Sequence, residues 1–346
     1  MSNKRILITG MGSGVGQGIV KALRMSALDL TLVGADISHL HSGMFRVDEA
    51  LLIPKVEDEG SLERMLGILR DARIDMVMVG SEFDLAFFSE HRALIERETG
   101  ALVAASPPEV IAVSNDKRCT ADFLRDQGLP YAAWTAPAST TEALRDAESL
   151  GYPVILKDAE GTSSRHVHVL EKPGELAAVF ESVPNAMLQQ LIGMPSNDLH
   201  SEFTCSVFKG ADGELVGPFT ARRTLRGGSS WIVEVLPVPE LDELLLAIGR
   251  NLPVLGSLNV QLMLGTEGPV PFEFNARPSG TTAVRAHYGF NEPEMTVRSY
   301  LLGQSLPRPV IGQGLAFRYL EEVFVDNATA CSAERFFGKG TVRRWY

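Results

Sequence analysis

The sequence predicts an α/β protein that opens with a parallel sheet covered by helices on both faces. Three observations carry this prediction. Short apolar runs alternate with amphipathic helical segments between residues 5 and 104, and a glycine-rich turn at 10–18 follows the first run. The chain has 346 residues, which exceeds one typical hydrophobic core, so we expect two or three lobes.

Each strand and helix of the first domain is predicted from a separate stretch of the sequence. The first strand, the glycine turn and a helix continuing to Met25 form the opening unit of a doubly wound sheet. The next apolar run ends at Asp36, and two further helix and strand pairs complete a βαβαβαβ pattern. The predicted strands are 5–9, 30–35, 76–79 and 101–104, and the later predicted helices are 61–71 and 85–98.

The glycine turn at 10–18 leaves two interpretations open. One is a nicotinamide cofactor on the turn, with Asp36 binding its ribose. The strict GxGxxG spacing is absent, however, because no starting glycine of the turn has a glycine at the third fingerprint position. The other is that the glycines only allow a tight turn and a close approach of helix and sheet.

Composition and charge narrow the choice of partners. Lys and Arg number 32 and Asp and Glu number 43, which gives a net charge of −11 without a basic block, so nucleic acid is not expected as a partner. The cysteines Cys119, Cys205 and Cys331 are far apart and indicate neither a disulfide framework nor a zinc site. No apolar segment approaches the roughly 20 residues that span a bilayer, and no signal peptide is visible. We therefore expect no membrane partner and a cytoplasmic location.

The middle of the chain carries a candidate phosphate loop. A predicted strand at 151–157 ends in Lys157, and the loop before the next strand, 167–170, is rich in small and hydroxyl residues. Free N–H groups and hydroxyls in such a loop wrap phosphate oxygens, and Lys157 and Arg165 add positive charge. Upstream, Lys117 lies near the start of a predicted helix, where the helix dipole disfavours a cation unless the cation faces an anion.

A polar cluster on a predicted hairpin indicates an ATP·Mg site. Glu273 and Asn275 are two residues apart, so their side chains leave a strand by the same face. The preceding apolar run contains Gln261, and the turn at 265–269 joins the two runs. Carboxylate and amide oxygens are hard ligands that suit Mg²⁺ held against phosphates, and Arg277 adds a cation for phosphate oxygens.

Taken in order, these motifs resemble the ATP-grasp superfamily. The run Gln261…Glu273-Phe274-Asn275-Ala276-Arg277 resembles its metal-binding Gln…Glu-x-Asn-x-Arg signature. Within the superfamily, the chain is most similar to the synthetase units of the carbamoyl phosphate synthetase large subunit, over roughly residues 1–305. The resemblance implies a Rossmann-like domain at 1–113, a linker helix and lid lobe of a two-lobed α+β ATP-grasp domain at 114–190, a core lobe with the metal site at 191–305, and a tail of open role at 306–346.

The resemblance also implies a nucleotide site. ATP with Mg²⁺, or Mn²⁺ in its place, is the implied cofactor, and Glu202 is the implied ribose ligand, with a solvated strand carboxylate as the alternative. The lid loop departs from the family pattern at Asp158, Ser163 and His166. It stays open whether His166 contacts the γ-phosphate or the substrate, or only stiffens the loop. The implied ATP-binding residues are Lys117, Lys157, Gly161, Ser163, Ser164, Arg165, Gln189, Gln190, Leu191, Ile192, Glu202, Gln261 and Glu273.

The implied catalytic and substrate-side residues complete the site. The implied metal ligands are Gln261, Glu273 and Asn275. The implied catalytic residues are Arg277, Arg165 and Lys157. Helix capping is an equal alternative for Ser81, Glu82 and Asp84. Members that make carbamoyl phosphate carry Arg where this chain has Gly280, which counts against a carbonate substrate. The substrate-side candidates are Ser81, Glu82, Arg223, Ser279, Gly280 and Thr281, together with Gly12, Ser13, Gly14 and Asp84.

The implied function is ATP-dependent carboxylate–amine ligation through an acyl phosphate, with release of ADP and phosphate. The implied partners are a small carboxylate and an amine, whose identities the sequence leaves open, and a homodimer is the candidate assembly. The alternatives are a carbamoyl- or carboxy-phosphate-forming enzyme on the same fold, a nicotinamide-dependent oxidoreductase and a non-catalytic nucleotide-binding module.

Overall fold

The computed structural model describes residues 3–161, 166–193, 199–200, 202–265, 267–325 and, for the backbone alone, 335–336. These residues build three sheets, in which six, four and seven strands are paired. Within the described residues, no helix is long and apolar enough to cross a membrane.

The N-terminal sheet has five parallel strands in the order β3-β2-β1-β4-β5. The strand order changes direction at β1, and in doubly wound sheets ligands bind in the crevice at the carboxyl ends of the strands around such a point. The apolar side chains of β1 and its neighbours are fully buried, which fixes the sheet between its helices. The strands are β1 (Lys4–Ile8), β2 (Leu30–Asp36), β3 (Glu49–Leu52), β4 (Met76–Met78) and β5 (Leu102–Ala104). The helices are α1 (Gly14–Met25), α2 (Ser61–Asp71), α3 (Glu82–Glu90), α4 (Arg92–Thr99) and α5 (Pro108–Asn115), with a 3₁₀ turn at Ser42–Phe45.

The structure confirms the βαβ pattern and differs from it in two places. The single helix predicted at 85–98 is two helices, α3 and α4, because His91 leaves helical geometry with φ −93° and ψ 5°. Strand β3 was not predicted, since its four residues, Glu-Ala-Leu-Leu, carry no strand periodicity. Pairing with β2, rather than local sequence, makes this segment a strand.

The middle of the chain forms a small antiparallel sheet in the order β6-β9-β7-β8, covered by two helices. Its apolar core includes Val154, Leu156 and Leu188, which face α7 and α8. The elements are α6 (Lys117–Asp126), β6 (Trp134–Thr135), α7 (Thr140–Leu150), β7 (Val154–Asp158), β8 (Val167–Leu170), α8 (Pro173–Val179), a 3₁₀ turn at Phe180–Ser182 and β9 (Ala186–Gln190).

The third sheet is antiparallel and has the order β15-β14-β10-β12-β13-β16, with β11 also paired to β10. The predicted hairpin is present as β14 and β15, with Gln261 directly opposite Glu273. Phe203 and Phe274 of this sheet share one hydrophobic cluster with Leu7 and Phe88 of the N-terminal domain, so the two units pack together. The strands are β10 (Glu202–Lys209), β11 (Leu215–Phe219), β12 (Ala221–Arg226), β13 (Ser229–Val235), β14 (Gly256–Gly265), β15 (Gly268–Asn275) and β16 (Gly314–Phe317). The helices are α9 (Asp242–Asn251), α10 (Thr282–His287), α11 (Glu292–Thr296), a π-helical turn at Val297–Leu301 and a 3₁₀ turn at Pro239–Leu241.

The C-terminal tail connects two of the sheets. Strand β16 extends the third sheet beside β13, and Val323 and Val325 pack against the core of the N-terminal domain. The last described strand, β17 (Arg335–Phe336), pairs antiparallel with β3. The segment between β16 and Val323 therefore passes beside the crevice of the N-terminal sheet.

Candidate active site

One cleft of about 930 Å³ lies among the three sheets. The carboxyl ends of the parallel strands form one wall, where Gly12 and Ser81 lie. The hairpin β14–β15 forms another wall, with Gln261 and Glu273. Lys117 lines the side toward the small antiparallel sheet β6-β9-β7-β8. The topology thus brings the glycine turn and the predicted metal residues, about 250 positions apart in the sequence, to the same cavity.

The three predicted metal ligands lie together on the hairpin. Glu273 Oε1 accepts hydrogen bonds from Asn275 Nδ2 at 3.1 Å and from Gln261 Nε2 at 3.4 Å. Gln261 and Asn275 are each only 8% exposed. Since both amides donate to the carboxylate through their nitrogens, their oxygens face other groups, and that of Gln261 accepts a hydrogen bond from Arg223. The set offers one carboxylate and two amide oxygens on a single strand pair.

Arg223 occupies a central position beside this set. Its guanidinium donates to Glu202 Oε1 from Nε at 2.8 Å, to Gln261 Oε1 from Nη2 at 2.9 Å and to Ser230 Oγ from Nη1 at 3.2 Å. Burial raises the pKa of Glu202, and the nearby Glu273 raises it further, while Arg223 opposes both effects. The predicted ribose ligand Glu202 is therefore held by the predicted substrate ligand Arg223.

The two predicted phosphate lysines lie at the base of the lid loop. Lys117 Nζ donates to the carbonyl oxygen of Gly161 at 2.6 Å and lies 3.4 Å from the carbonyl oxygens of Asp158 and Ala159. Lys157 is 5% exposed, and its Nζ lies 5.9 Å from the centre of the Phe272 ring. Burial, reinforced by the charge of Lys117, lowers the pKa of Lys157 to about 7.

The substrate-side candidates form a second group around the glycine turn. Arg277 makes an ion pair with Glu82, 3.2 Å between Nη2 and Oε2, and thereby joins β15 to the start of α3. Ser279 and Thr281 hydrogen-bond to one another through their hydroxyls at 2.7 Å, which rigidifies the turn around Gly280. Ser279 and Gly280 line the cleft with Arg277 and Glu82, whereas Thr281 supports the turn from behind.

Carboxylates are concentrated at the N-terminal end of the cleft. Asp36 accepts a hydrogen bond from Gly12 N at 2.8 Å and pairs with His41 Nδ1 at 3.0 Å. Burial, reinforced by the charges of Asp36 and Glu57 and opposed by hydrogen bonds with Thr9 and Ser81, raises the pKa of Asp84 to about 6. Asp36 is thus engaged by the protein itself, through an amide of the glycine turn.

The remaining predicted nucleotide residues lie on the linker strand or outside the described residues. Gln189 is buried and donates to Ala132 O at 3.4 Å, while Gln190 is exposed; Leu191 and Ile192, which follow β9, are half-buried. His166 has a φ of 52°, in the left-handed region that favours glycine. The family pattern has a glycine at this position, and a glycine adopts this conformation without strain. Ser163, Ser164 and Arg165 lie outside the described residues.

Arg318 and Asn259 are among the cleft residues that sequence reasoning missed. Arg318, in the tail, donates from Nη2 to Gly280 O at 2.7 Å. Asn259, on β14, lines the cleft, and its Oδ1 accepts hydrogen bonds from the buried Arg285 and, at 3.0 Å, from Thr204. No sequence signal marks Arg318, whereas the same-face spacing of Asn259 and Gln261 indicates Asn259 as a neighbour of the metal set.

The chain is similar in sequence to carbamoyl phosphate synthases. No family model matches the chain. The carbamoyl-phosphate synthase of Methanobrevibacter smithii is 23% identical over 253 residues, and the match covers 68% of this chain and 64% of that protein. The carbamoyl phosphate synthase large chain of Gemmatimonas aurantiaca is 22% identical over 351 residues, covering 94% of this chain and 31% of that protein. This chain therefore spans less than two thirds of the length of either relative.

Solved structures share the architecture at low sequence identity. N5-carboxyaminoimidazole synthetase from Staphylococcus aureus, complexed with ADP, superposes with a TM-score of 0.73 at 15% identity, covering 92% of this chain and 82% of that one. The biotin carboxylase domain of the Hydrogenobacter thermophilus 2-oxoglutarate carboxylase, complexed with ADP and bicarbonate, gives a TM-score of 0.72 at 16% identity, covering 97% and 77%. The chain is thus similar in sequence to carbamoyl phosphate synthases, and these solved structures show that it has the ATP-grasp fold.

Proposed function

We propose that this protein is an ATP-dependent carboxylate–amine ligase that acts through an acyl phosphate. The observation that carries the proposal is the convergence of Gln261, Glu273 and Asn275 with Lys117 and Arg277 on one cleft. The relatives named above, carbamoyl phosphate synthases and an ADP-bound synthetase, support it. ATP with Mg²⁺ is the proposed cofactor, and a small carboxylate and an amine are the proposed substrates.

The donor set fits Mg²⁺ held jointly with phosphate oxygens. Among the described residues, no group of three or more His, Cys, Asp or Glu side chains is placed to hold a metal, so a metal held by protein carboxylates alone is not indicated there. One carboxylate with two amide oxygens leaves coordination positions for substrate phosphates, which is the usual way in which Mg²⁺ binds. Bound there, the metal would neutralise phosphate charge, with Glu273, Gln261 and Asn275 as its protein ligands.

The other residues of the cleft would position and neutralise the reacting groups. Lys117 lines the cleft, and Lys157 lies behind it with its ammonium over the Phe272 ring of β15; both would face phosphate oxygens. Arg277 would hold the transferred phosphoryl group, since a guanidinium can donate two parallel hydrogen bonds to phosphate oxygens. In the reaction, a substrate carboxylate oxygen attacks the γ-phosphorus and ADP leaves. The amine then attacks the acyl carbon, and inorganic phosphate leaves. Fixed cations supply electrostatic stabilisation, and the lid excludes water that would hydrolyse the acyl phosphate.

Two measurements test the proposal. Mg·ATP or a non-hydrolysable analogue should raise the melting temperature, whereas NAD and NADP should not. The variant Glu273→Gln keeps the shape and removes the charge, so we expect normal folding and a loss of ATP-dependent turnover of about 10²-fold or more. Stabilisation by a dinucleotide alone, or near-normal turnover of Glu273→Gln, would contradict the proposal.

A carboxy-phosphate-forming enzyme is the second candidate, because one structural neighbour is a biotin carboxylase domain complexed with ADP and bicarbonate. Gly280 carries no side chain to hold bicarbonate, which favours the first proposal. Bicarbonate-dependent ADP release without any organic acid would favour the second candidate. Hydroxamate formation from an organic acid, ATP and hydroxylamine would favour the first.

A further inference from the structure

The tail places an arginine in the substrate end of the cleft. The end of β16 is fixed by a hydrogen bond from Arg318 N to Trp231 O at 2.8 Å. From there the side chain reaches the turn after Arg277, where its Nη2 donates to Gly280 O at 2.7 Å. A Cβ at Gly14 would lie 3.6 Å from the Arg318 Nη1 atom. The guanidinium is therefore held between the start of α1 and the Gly280 turn.

The charge of Arg318 is not matched by an acidic partner. Among the described residues, every other arginine that lines the cleft makes an ion pair, Arg223 with Glu202 and Arg277 with Glu82, whereas Arg318 makes none. Burial lowers the pKa of Arg318, but a guanidinium stays charged at any physiological pH. A partly buried cation without a counter-ion favours an anion from outside the protein.

The opposite charge lies a short distance away. Gly12 N donates to the Asp36 carboxylate, and Gly14, two residues on, lies beside Arg318. Two residues of backbone span at most about 7 Å, so the Arg318 guanidinium and the Asp36 carboxylate both lie close to one tight turn. Asp84 lies close enough to Asp36 for their charges to interact. A purely anionic ligand would be repelled by these carboxylates.

We propose that this end of the cleft binds an amino acid as its zwitterion, with the carboxylate on Arg318 and the ammonium group toward Asp36 and Asp84. The proposal rests on the ligase function proposed above and names one of its two substrates by class. The other charged or titratable groups that line this end of the cleft are Lys55, Glu57 and Asp58 on its exposed rim, the ion-paired Glu82, and His41, which pairs with Asp36.

The test measures binding, so it does not need the complete reaction. The full-length chain is heated with and without Mg·ADP in the presence of each of the common L-amino acids at millimolar concentration, and of the matching 2-hydroxy acids and amines. We expect at least one amino acid to raise the melting temperature of the wild type, with a smaller effect of its hydroxy-acid and amine analogues. Isothermal titration then gives its Kd.

The variants assign the effect to Arg318. Arg318→Met should weaken the binding of that amino acid at least tenfold and leave the Mg·ADP shift unchanged, while Arg308→Met, at an exposed position of the same tail, should bind normally. Arg318→Lys keeps the charge and should bind with intermediate affinity, which covers the case that the Met variant folds poorly. Asp84→Asn should weaken the binding of the amino acid but not that of its hydroxy acid.

Three results would overturn the proposal: no amino acid binds the wild type, Arg318→Met binds it normally, or the hydroxy acid binds as well as the amino acid. In each case an intact Mg·ADP shift would leave the nucleotide site standing. Absence of that shift in the wild type would instead count against the proposed ligase function.

Discussion

Binding of Mg·ATP should transfer a proton to Lys157. The side chain is 5% exposed, and burial, with a smaller contribution from Lys117, lowers its pKa from 10.5 to about 7, against the opposing charge of Glu273. At pH 8, about nine tenths of the Lys157 side chains are therefore neutral before nucleotide binds. Phosphate oxygens beside the amine favour the charged form and return the pKa toward its ordinary value.

The predicted uptake is about 0.9 proton per bound nucleotide at pH 8 and about 0.1 at pH 6. Titration calorimetry with a non-hydrolysable ATP analogue, in buffers of different ionisation enthalpy, measures this number directly. Lys157→Met should abolish the uptake at pH 8, while Lys172→Met, at an exposed and ion-paired position, should retain it. Equal uptake by the wild type and Lys157→Met would refute the assignment of Lys157 to the phosphates.

The same pKa predicts how stability depends on pH. The unfolded chain keeps the Lys157 proton up to about pH 10, whereas the folded chain releases it near pH 7. Between these values the unfolded state binds more protons, so this residue makes the free energy of unfolding rise with pH, by at most about 1.4 kcal/mol per pH unit. Lys157→Met should consequently be stabilising at pH 6, and its advantage should shrink by pH 9 in urea unfolding. An advantage that grows with pH would contradict the burial argument.

Three further predictions concern packing and charge. Arg285→Met leaves a fully buried carboxylate partner unpaired, so denaturant unfolding should show a loss of about 3 to 5 kcal/mol, and a loss below 1 would be contrary evidence. Gly16→Ala brings a Cβ against the Gly10 carbonyl and should lower stability by about 1 to 3 kcal/mol; its control Gly67→Ala, with open space in mid-helix, should be neutral or stabilising. Arg223→Met removes the cation bonded to the Gln261 oxygen, so Mn²⁺ affinity, followed by electron paramagnetic resonance, should rise, and an unchanged affinity would contradict competition for that oxygen.

The hairpin could be predicted from sequence because its information is local. Same-face spacing places Glu273 beside Asn275, and the intervening turn places Gln261 opposite Glu273, as the structure confirms. The parallel sheet could be predicted for the same reason. The short strand β3 could not, since only its partner strand makes it extended.

The partners of the charged residues depend on tertiary packing, which sequence spacing does not encode. Arg223 lies in an arginine-rich segment, 222–226, yet its bonds to Glu202 and Gln261 arise because β10 lies between β12 and β14. Arg318 follows an unremarkable apolar strand in a tail without motifs. It enters the cleft because β16 pairs with β13 and directs the chain back toward the N-terminal domain.

Several charged groups of the cleft have partners that a ligand of opposite charge would replace. The side chain nearest the metal set, Arg223, supplies a cation to Glu202 and Gln261 where a divalent metal would bind. Lys157 gives up its proton where phosphates would restore it, and Arg318 is held charged without a counter-ion among the described residues. Each arrangement costs free energy that a ligand of the opposite charge recovers. Binding energy in this cleft therefore comes from the exchange of charge partners, and binding should be accompanied by proton uptake and by displacement of Arg223.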